Sequence, residues 1–425
     1  ARAARGSGLP SFIKTRRLAL RRVATRAMPR PLARRDALRK VKYGRSDMVV
    51  SELCAGSMTW GSFNGSEEEA HAQLDCLVSH GVNFFDTAEM YPVAFNYGKT
   101  TETWIGNWLA ARVGDGTVKR EDLYFATKCN PLGTGGTVGK PGKWKKHAFD
   151  ADRLRASCEA SLARLQCDYI DLYMLHFPSR MGGEAFGWAN WKDGRYDGAR
   201  TSTGDEGDFE DQVKAVQGLF DAQLIRHWGL SNETAYGVTM FCLTCDRLGV
   251  PRPVSVQNDF NFNNRTYETS TAEACHHLGV VGMPYGALGG GALTGKYQDS
   301  KYAGDRPLEL ARHNFKPKFQ TRYRSPRGAA ATREYIKLAE ARGLAPAELA
   351  LAWCRDRPYN AVVVTGTTTV QQCEEAIRAF KLEALPRELL DAIDTIHERY
   401  RSPDAALHSK EQVLREEPPA SCAIV

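Results

Sequence analysis

Residues 52–61 read Glu-Leu-Cys-Ala-Gly-Ser-Met-Thr-Trp-Gly, a short apolar run that turns on a glycine. A doubly wound open sheet places a G-x-G-x-x-G turn directly after its first strand, where backbone amides cradle phosphates. Here Gly56 and Gly61 enclose Ser57, Met58, Thr59 and Trp60, which is not that spacing. Seven further apolar runs follow: VNFFDTA, LYFATKC, IDLYMLH, IRHWGLSN, VSVQNDF, VVGMPYG and AVVVTGT. Amphipathic stretches separate them. EEEAHAQLDCLVSHG ends on Gly81 as a helix C-terminus does, and DADRLRASCEASLARLQ repeats Leu154, Cys158, Leu162 and Leu165 at helical spacing. Eight strands alternating with helices predict an α/β fold, a (β/α)8 TIM barrel. The long connections 130–150, 177–208 and 296–330 all follow strands, which makes them long loops at the C-terminal face, where barrel active sites lie.

The chain has 425 residues, 42% hydrophobic and 25% charged, as an ordinary globular protein does. Its net charge of +7 is unevenly placed. Residues 1–40 hold thirteen Lys and Arg against one acid, Asp36; that local +12 leaves −5 for the remainder. The basic character therefore belongs to the N-terminal segment, which argues against a nucleic-acid partner for the body. Rich in Arg and Ala with Ser and Thr, residues 1–40 have the composition of a disordered organellar targeting segment. Chloroplast ranks ahead of mitochondrion, with the cytoplasm as the alternative. Residues 41–400 form the barrel and 401–425 a polar tail. No apolar run approaches the roughly 18 to 20 residues of a membrane span, so no stable membrane association is expected.

Eleven scattered cysteines read as reduced thiols. The one C-x-x-C, Cys242 to Cys245, has no second pair or His partner and reads as helix packing, so no metal site is expected. The ending Cys422-Ala-Ile-Val425 has the outline of a prenylation signal but an unusual last residue.

In a barrel the polar residues at strand C-termini converge on the mouth. They are Asp86, Lys128, His176, Asn232, Gln257 and Tyr285, with Tyr91 five residues beyond Asp86. Any one of them can be a polar group capping its own strand. Together they suggest proton donation to a developing alkoxide. A free tyrosine titrates near ~10. An ammonium about 4 Å away, worth on the order of 4 kcal/mol in a partly screened site, is expected to lower it by about one or two units. Asp86 would hold Lys128 charged, and His176 would orient a carbonyl oxygen.

These residues sit within VSELCAGSMTWG, FFDTAEMYP, ATKC, SLARLQCDYIDLYMLHFP, WGLSNETAYGV, PYGALGGGALTGKY and GTTTVQQCEEAI. In that order and spacing the stretches resemble the aldo-keto reductase superfamily, and within it the Tas-like branch related to potassium-channel β subunits. The resemblance spans about Val41 to Tyr400. It implies a (β/α)8 barrel binding NADPH/NADP+ across its mouth, with NADH as the alternative, and reduction of a small-molecule aldehyde or ketone. It places the catalytic tetrad on Asp86, Tyr91, Lys128 and His176, with Tyr91 as proton donor. Ser231, Asn232 and Gln257 would hold the nicotinamide carboxamide and Tyr285 would stack on its ring. Gly56, Ser57, Met58, Gly286, Leu288 and Gly290 fall on cofactor positions, and Trp60 on a substrate-pocket wall. Gly366, Thr368, Gln372 and Glu375 match the segment for the adenosine 2′-phosphate and adenine.

Two departures stand out. The usual adenine-contacting Asn is Ala376, and no Arg or Lys lies between Gly366 and Glu375, which leaves Lys296 or Arg322 to help with the 2′-phosphate. Gly290 to Lys296 also reads G-x-x-x-x-G-K, but a P-loop needs Ser or Thr next, and the chain has Tyr297. The resemblance assigns Lys296 to the cofactor pyrophosphate instead. Some relatives of this branch act as NADP(H)-binding, redox-sensing subunits with slow turnover, which is the alternative function. Assembly into an oligomer is compatible with either.

Overall fold

The computed structural model describes residues 32–63, 66–92, 100–131, 149–179, 209–304, 307–317 and 319–404. A two-stranded antiparallel hairpin opens the body, β1 (Lys40–Lys42) and β2 (Val49–Ser51). The eight parallel strands follow: β3 (Leu53–Gly56), β4 (Phe84–Asp86), β5 (Tyr124–Cys129), β6 (Ile170–Leu175), β7 (Ile225–Ser231), β8 (Ser255–Gln257), β9 (Val281–Gly282) and β10 (Val363–Gly366). Their sheet order is β10-β3-β4-β5-β6-β7-β8-β9, so each strand lies beside its successor in the chain and the order never reverses. A doubly wound sheet requires such a reversal. The two ends of the sheet meet through backbone bonds. Gly282 N–H donates to Tyr359 O, Ala361 N–H to Gly282 O and Val364 N–H to Pro284 O, each at 2.9 Å. Only glycine fits at 282, because a Cβ there would lie 2.6 Å from Tyr267 Oη and 2.7 Å from Tyr359 O.

β6 is buried along its whole length, as a stave covered by helices outside and side chains inside must be. Cys54, Phe84, Ala126, Leu172, Met174 and Met283 fill the barrel. The hairpin, which was not among the runs expected to be strands, closes the N-terminal end. Tyr43 is fully buried, its ring edge-on to Phe84 at 5.3 Å and its hydroxyl 3.1 Å from Met283 Sδ.

The expected helices form where their ends are capped. Helix Glu67–Ser79 begins at Ser66, which accepts from Glu69 N–H at 3.3 Å, and the chain leaves it through Gly81 at φ +87. Helix Ala151–Leu165 is capped by Asp150 and buries Leu154, Cys158, Leu162 and Leu165. In helix Ala235–Leu248 burial pushes Cys242 up to about 11 and Cys245 up to about 12, which makes both packing thiols.

Residues 32–39, expected in the basic segment, lie on the body instead. Arg34 pairs with Glu348 at 2.9 Å and Arg39 pairs with Glu52. Helix Val370–Lys381 ends under three guanidinium groups: Arg34 donates to Arg378 O, Arg35 to Phe380 O, and Arg355 to Phe380 O and Leu382 O. Cations there complement the negative end of the helix dipole. At the other terminus Asp404 is buried, accepting from Ser325 Oγ at 3.0 Å. The basic segment up to residue 31 that was expected to serve targeting, the ending at Cys422, and most of connections 130–150 and 177–208 fall outside the described residues. No described helix is long and apolar enough to cross a membrane.

Candidate active site

β4 ends on Asp86 and β5 carries Lys128 one residue before its end, so neighbouring staves deliver a carboxylate and an ammonium to the same point. Lys128 Nζ lies 2.7 Å from Asp86 Oδ1 and also donates to Thr87 O at 2.7 Å. Gln257, the last residue of β8, donates Nε2 to Asp86 Oδ1 at 2.8 Å. Tyr91 lies above this pair, its ring centroid 5.1 Å from Lys128 Nζ. His176, directly after β6, sits 5.7 Å away with its ring nearly perpendicular to that of Tyr91. Asn232, in the left-handed region at φ +56, follows β7 and donates Nδ2 to His176 O at 2.9 Å. Its Oδ1 accepts from Tyr285 Oη at 2.7 Å, and Ser231 Oγ donates to Gln257 O at 3.0 Å.

Burial decides the protonation states. It raises Asp86 and lowers Lys128, each charge resisting the other's shift. Burial, with a further push from the Lys128 charge, holds His176 well below 6.5, so the imidazole is neutral at physiological pH. Burial also lifts the Tyr91 hydroxyl well above 10, and Asp86 adds to the rise. The lowering expected from Lys128 does not occur. The ammonium is answered by Asp86 below the ring, and the phenolate would have to form without solvent.

A cavity of about 1310 Å³ opens from this point across the mouth. Gly56, Met58, Asp86, Tyr91, His176, Ser231, Asn232, Gln257, Tyr285, Gly286, Leu288, Gly290, Lys296, Arg322, Gly366, Thr368, Gln372 and Glu375 all line it. Three expected residues do not. Lys128 lies beneath the floor, and Ser57 turns its hydroxyl to Asp86 O at 2.8 Å. Trp60 is buried in the outer core, not in a pocket wall. Its carbonyl accepts from Thr101 Oγ1 at 2.8 Å as the chain turns at Gly61, φ +89.

The long connection 296–330 supplies wall residues that had not been expected. Arg312 donates to Gln320 Oε1 at 2.8 Å, and burial pushes its guanidinium down; among the described residues no carboxylate pairs with it. Phe63 and Phe319, 6.4 Å apart, and Met90 line the cavity toward Tyr91. Arg322 is paired with Asp259 at 3.0 Å. Gly290 and Gly291 have φ of +61 and +99, and a Cβ at 290 would lie 3.0 Å from His313 Nε2. Tyr297 stacks on His313 at 4.8 Å, so the residue after Lys296 serves packing. Arg312 opens a helix of four residues, Arg312–Phe315, too short to show a periodic pattern, which is why it escaped notice.

The Aldo/keto reductase family model matches residues 52–398. The chain is 36% identical over 366 residues to Protein tas of Escherichia coli, covering 84% of this chain and 97% of that protein. It is 26% identical over 363 residues to a probable voltage-gated potassium channel subunit beta of Arabidopsis thaliana (83% and 94%). Over 356 residues it is 28% identical to norsolorinic acid reductase stcV of Emericella nidulans (82% and 78%).

Proposed function

The chain belongs to the aldo/keto reductase family, and from that premise we propose an NADPH-dependent oxidoreductase that reduces an aldehyde or ketone to an alcohol. One observation carries the reading: three neighbouring strand ends, β4 with Asp86 and Tyr91, β5 with Lys128 and β6 with His176, bring these four residues together at the floor of one cavity and just beneath it. When bound, a reduced nicotinamide supplies the hydride. The protein supplies the proton and the orientation. Tyr91, held protonated by burial, delivers its proton only when an alkoxide, a far stronger base than a phenolate, begins to form. Lys128 then stabilises the charge left on the phenolic oxygen, and Asp86 keeps Lys128 in place. His176, neutral, orients the carbonyl oxygen toward Tyr91 without competing as an acid.

The cavity suits the cofactor at its other end as well. Glycines 290 and 291 let backbone approach closely, and Arg312, whose guanidinium meets no carboxylate among the described residues, lines the same cavity as Lys296. That charge favours a 2′-phosphate and so NADPH over NADH. Stopped-flow mixing of the NADPH-loaded protein with an aromatic aldehyde tests the reading. Oxidation should follow mixing, and a trace no faster than the aldehyde-free drift would sink it. Likeness to a channel β subunit supports a second reading, a cofactor-binding subunit with slow turnover. One oxidation of bound NADPH without sustained turnover would identify it. We carry residues 1–31 as an organellar targeting signal, to be tested by import of a fluorescent fusion.

A further inference from the structure

A second buried ion pair lies beyond Asp86 and Lys128, and the chemistry above leaves it unused. Glu89 stands two residues before Tyr91, with a side chain only 3% exposed. Its Oε1 accepts from Asn130 N–H at 2.8 Å, Asn130 Nδ2 at 3.2 Å and Arg153 at 3.1 Å. Arg153 also donates to Asn130 O at 3.0 Å. Glu89 Oε2 is buried and has no hydrogen-bond partner among the described residues. If the Asn130 amide needed only an acceptor, a neutral side chain would serve without desolvating a charge.

The two pairs are reciprocal. Lys128 reaches out of β5 to the loop after β4, at Thr87 O. Glu89 reaches from that loop back to the end of β5, at Asn130 N–H. Between them Glu89 N–H donates to Lys128 O at 3.2 Å, and Tyr91 N–H to Ala88 O at 3.0 Å. The loop is thus fastened to β5 on both sides of the residue pair that sets the phenol over the ammonium. Neither Glu89 nor Arg153 lines the cavity, so an effect on turnover would be indirect, carried by the loop that holds Tyr91.

We propose that Glu89 and Arg153 are a positioning pair that fixes Tyr91 over Lys128, an inference that rests on Tyr91 as the proton donor. Glu89→Gln keeps the shape and cancels the charge. It should lower kcat by roughly tenfold to a hundredfold through misplacement of the donor. NADPH affinity, measured by fluorescence titration, should stay within about twofold. In a Tyr91→Phe background the same change should cost nothing further. Should Glu89→Gln not fold, Arg153→Lys, which keeps the charge and loses the fork, is read in the same way.

A second readout does not depend on turnover. In tyrosine-labelled NMR, with Tyr91→Phe for assignment, the Tyr91 resonance should shift in Glu89→Gln. Parental kcat with an unmoved resonance overturns the proposal. So does a kcat loss that persists in the Tyr91→Phe background or tracks lost cofactor affinity. If the parent protein reduces no carbonyl, the donor reading fails instead, and the resonance alone decides whether the pair positions Tyr91.

Discussion

The two ends of the barrel are made by the same eight strands and share little chemistry. At the N-terminal end Tyr43 and Met48 close the interior against Phe84, Leu172 and Met283 chiefly by packing, with the Tyr43 hydroxyl on Met283 Sδ. At the C-terminal end the strands carry Asp86, Lys128, Ser231 and Gln257 at or one residue before their last positions, hydrogen-bonded to one another under an open cavity. A stave can be apolar for nearly its whole length and still deliver chemistry, provided the polar residue comes last. That is the division expected of a barrel, stability at one end and the proposed site at the other.

Replacing Tyr91 with Phe should produce the largest effect. Carbonyl reduction should fall by about 10²- to 10⁴-fold while NADPH binding stays near normal. Steady-state kinetics beside a binding titration check it, and a loss of only a few-fold would remove Tyr91 from the donor role. The opposite end should respond in the opposite sense. Tyr43→Ala should cost about 3–5 kcal/mol in urea unfolding and leave kcat per folded molecule unchanged. A fall in kcat would break the division between the two ends.

Asp404, behind the cavity wall, sharpens the contrast through pH. Burial lifts it from 3.8 to about 7, so the folded state holds a proton that the unfolded state releases. Its contribution is fully present below pH 3.8 and is lost as pH rises to about 7, at about 1.4 kcal/mol per unit and up to roughly 4 kcal/mol in all. Asp404→Asn should flatten that decline in thermal midpoint. Arg312→Gln should be the mildest change, weakening NADPH about tenfold, or about 1.4 kcal/mol, with NADH nearly unaffected. Equal losses for both would move the guanidinium from the 2′-phosphate to a group they share.

The strand ends were legible in the sequence because position and residue type coincide there. Asp86, Lys128 and His176 each follow an apolar run, and closure of the barrel brings them together. What escaped notice has no such coincidence. The strands of the hairpin are three residues each, too short to show alternation, and Arg312 opens a helix of only four residues, too short to show helical spacing. Trp60 follows a strand as a pocket residue would, yet the turn at Gly61 sends it into the outer core. The Tyr91 phenol shows another gap. Adding a nearby cation to a sequence argument gives the wrong sign when burial and the cation's own partner are left out.

Gly282 carries a burden unrelated to catalysis. The seam between β9 and β10 closes only because no side chain stands there. A ring of strands has no unpaired edge and offers no template for another chain to extend. Any residue larger than glycine at 282 would pry the seam apart and expose two such edges at once. The same missing methyl group that lets the barrel close therefore also guards it against aggregation.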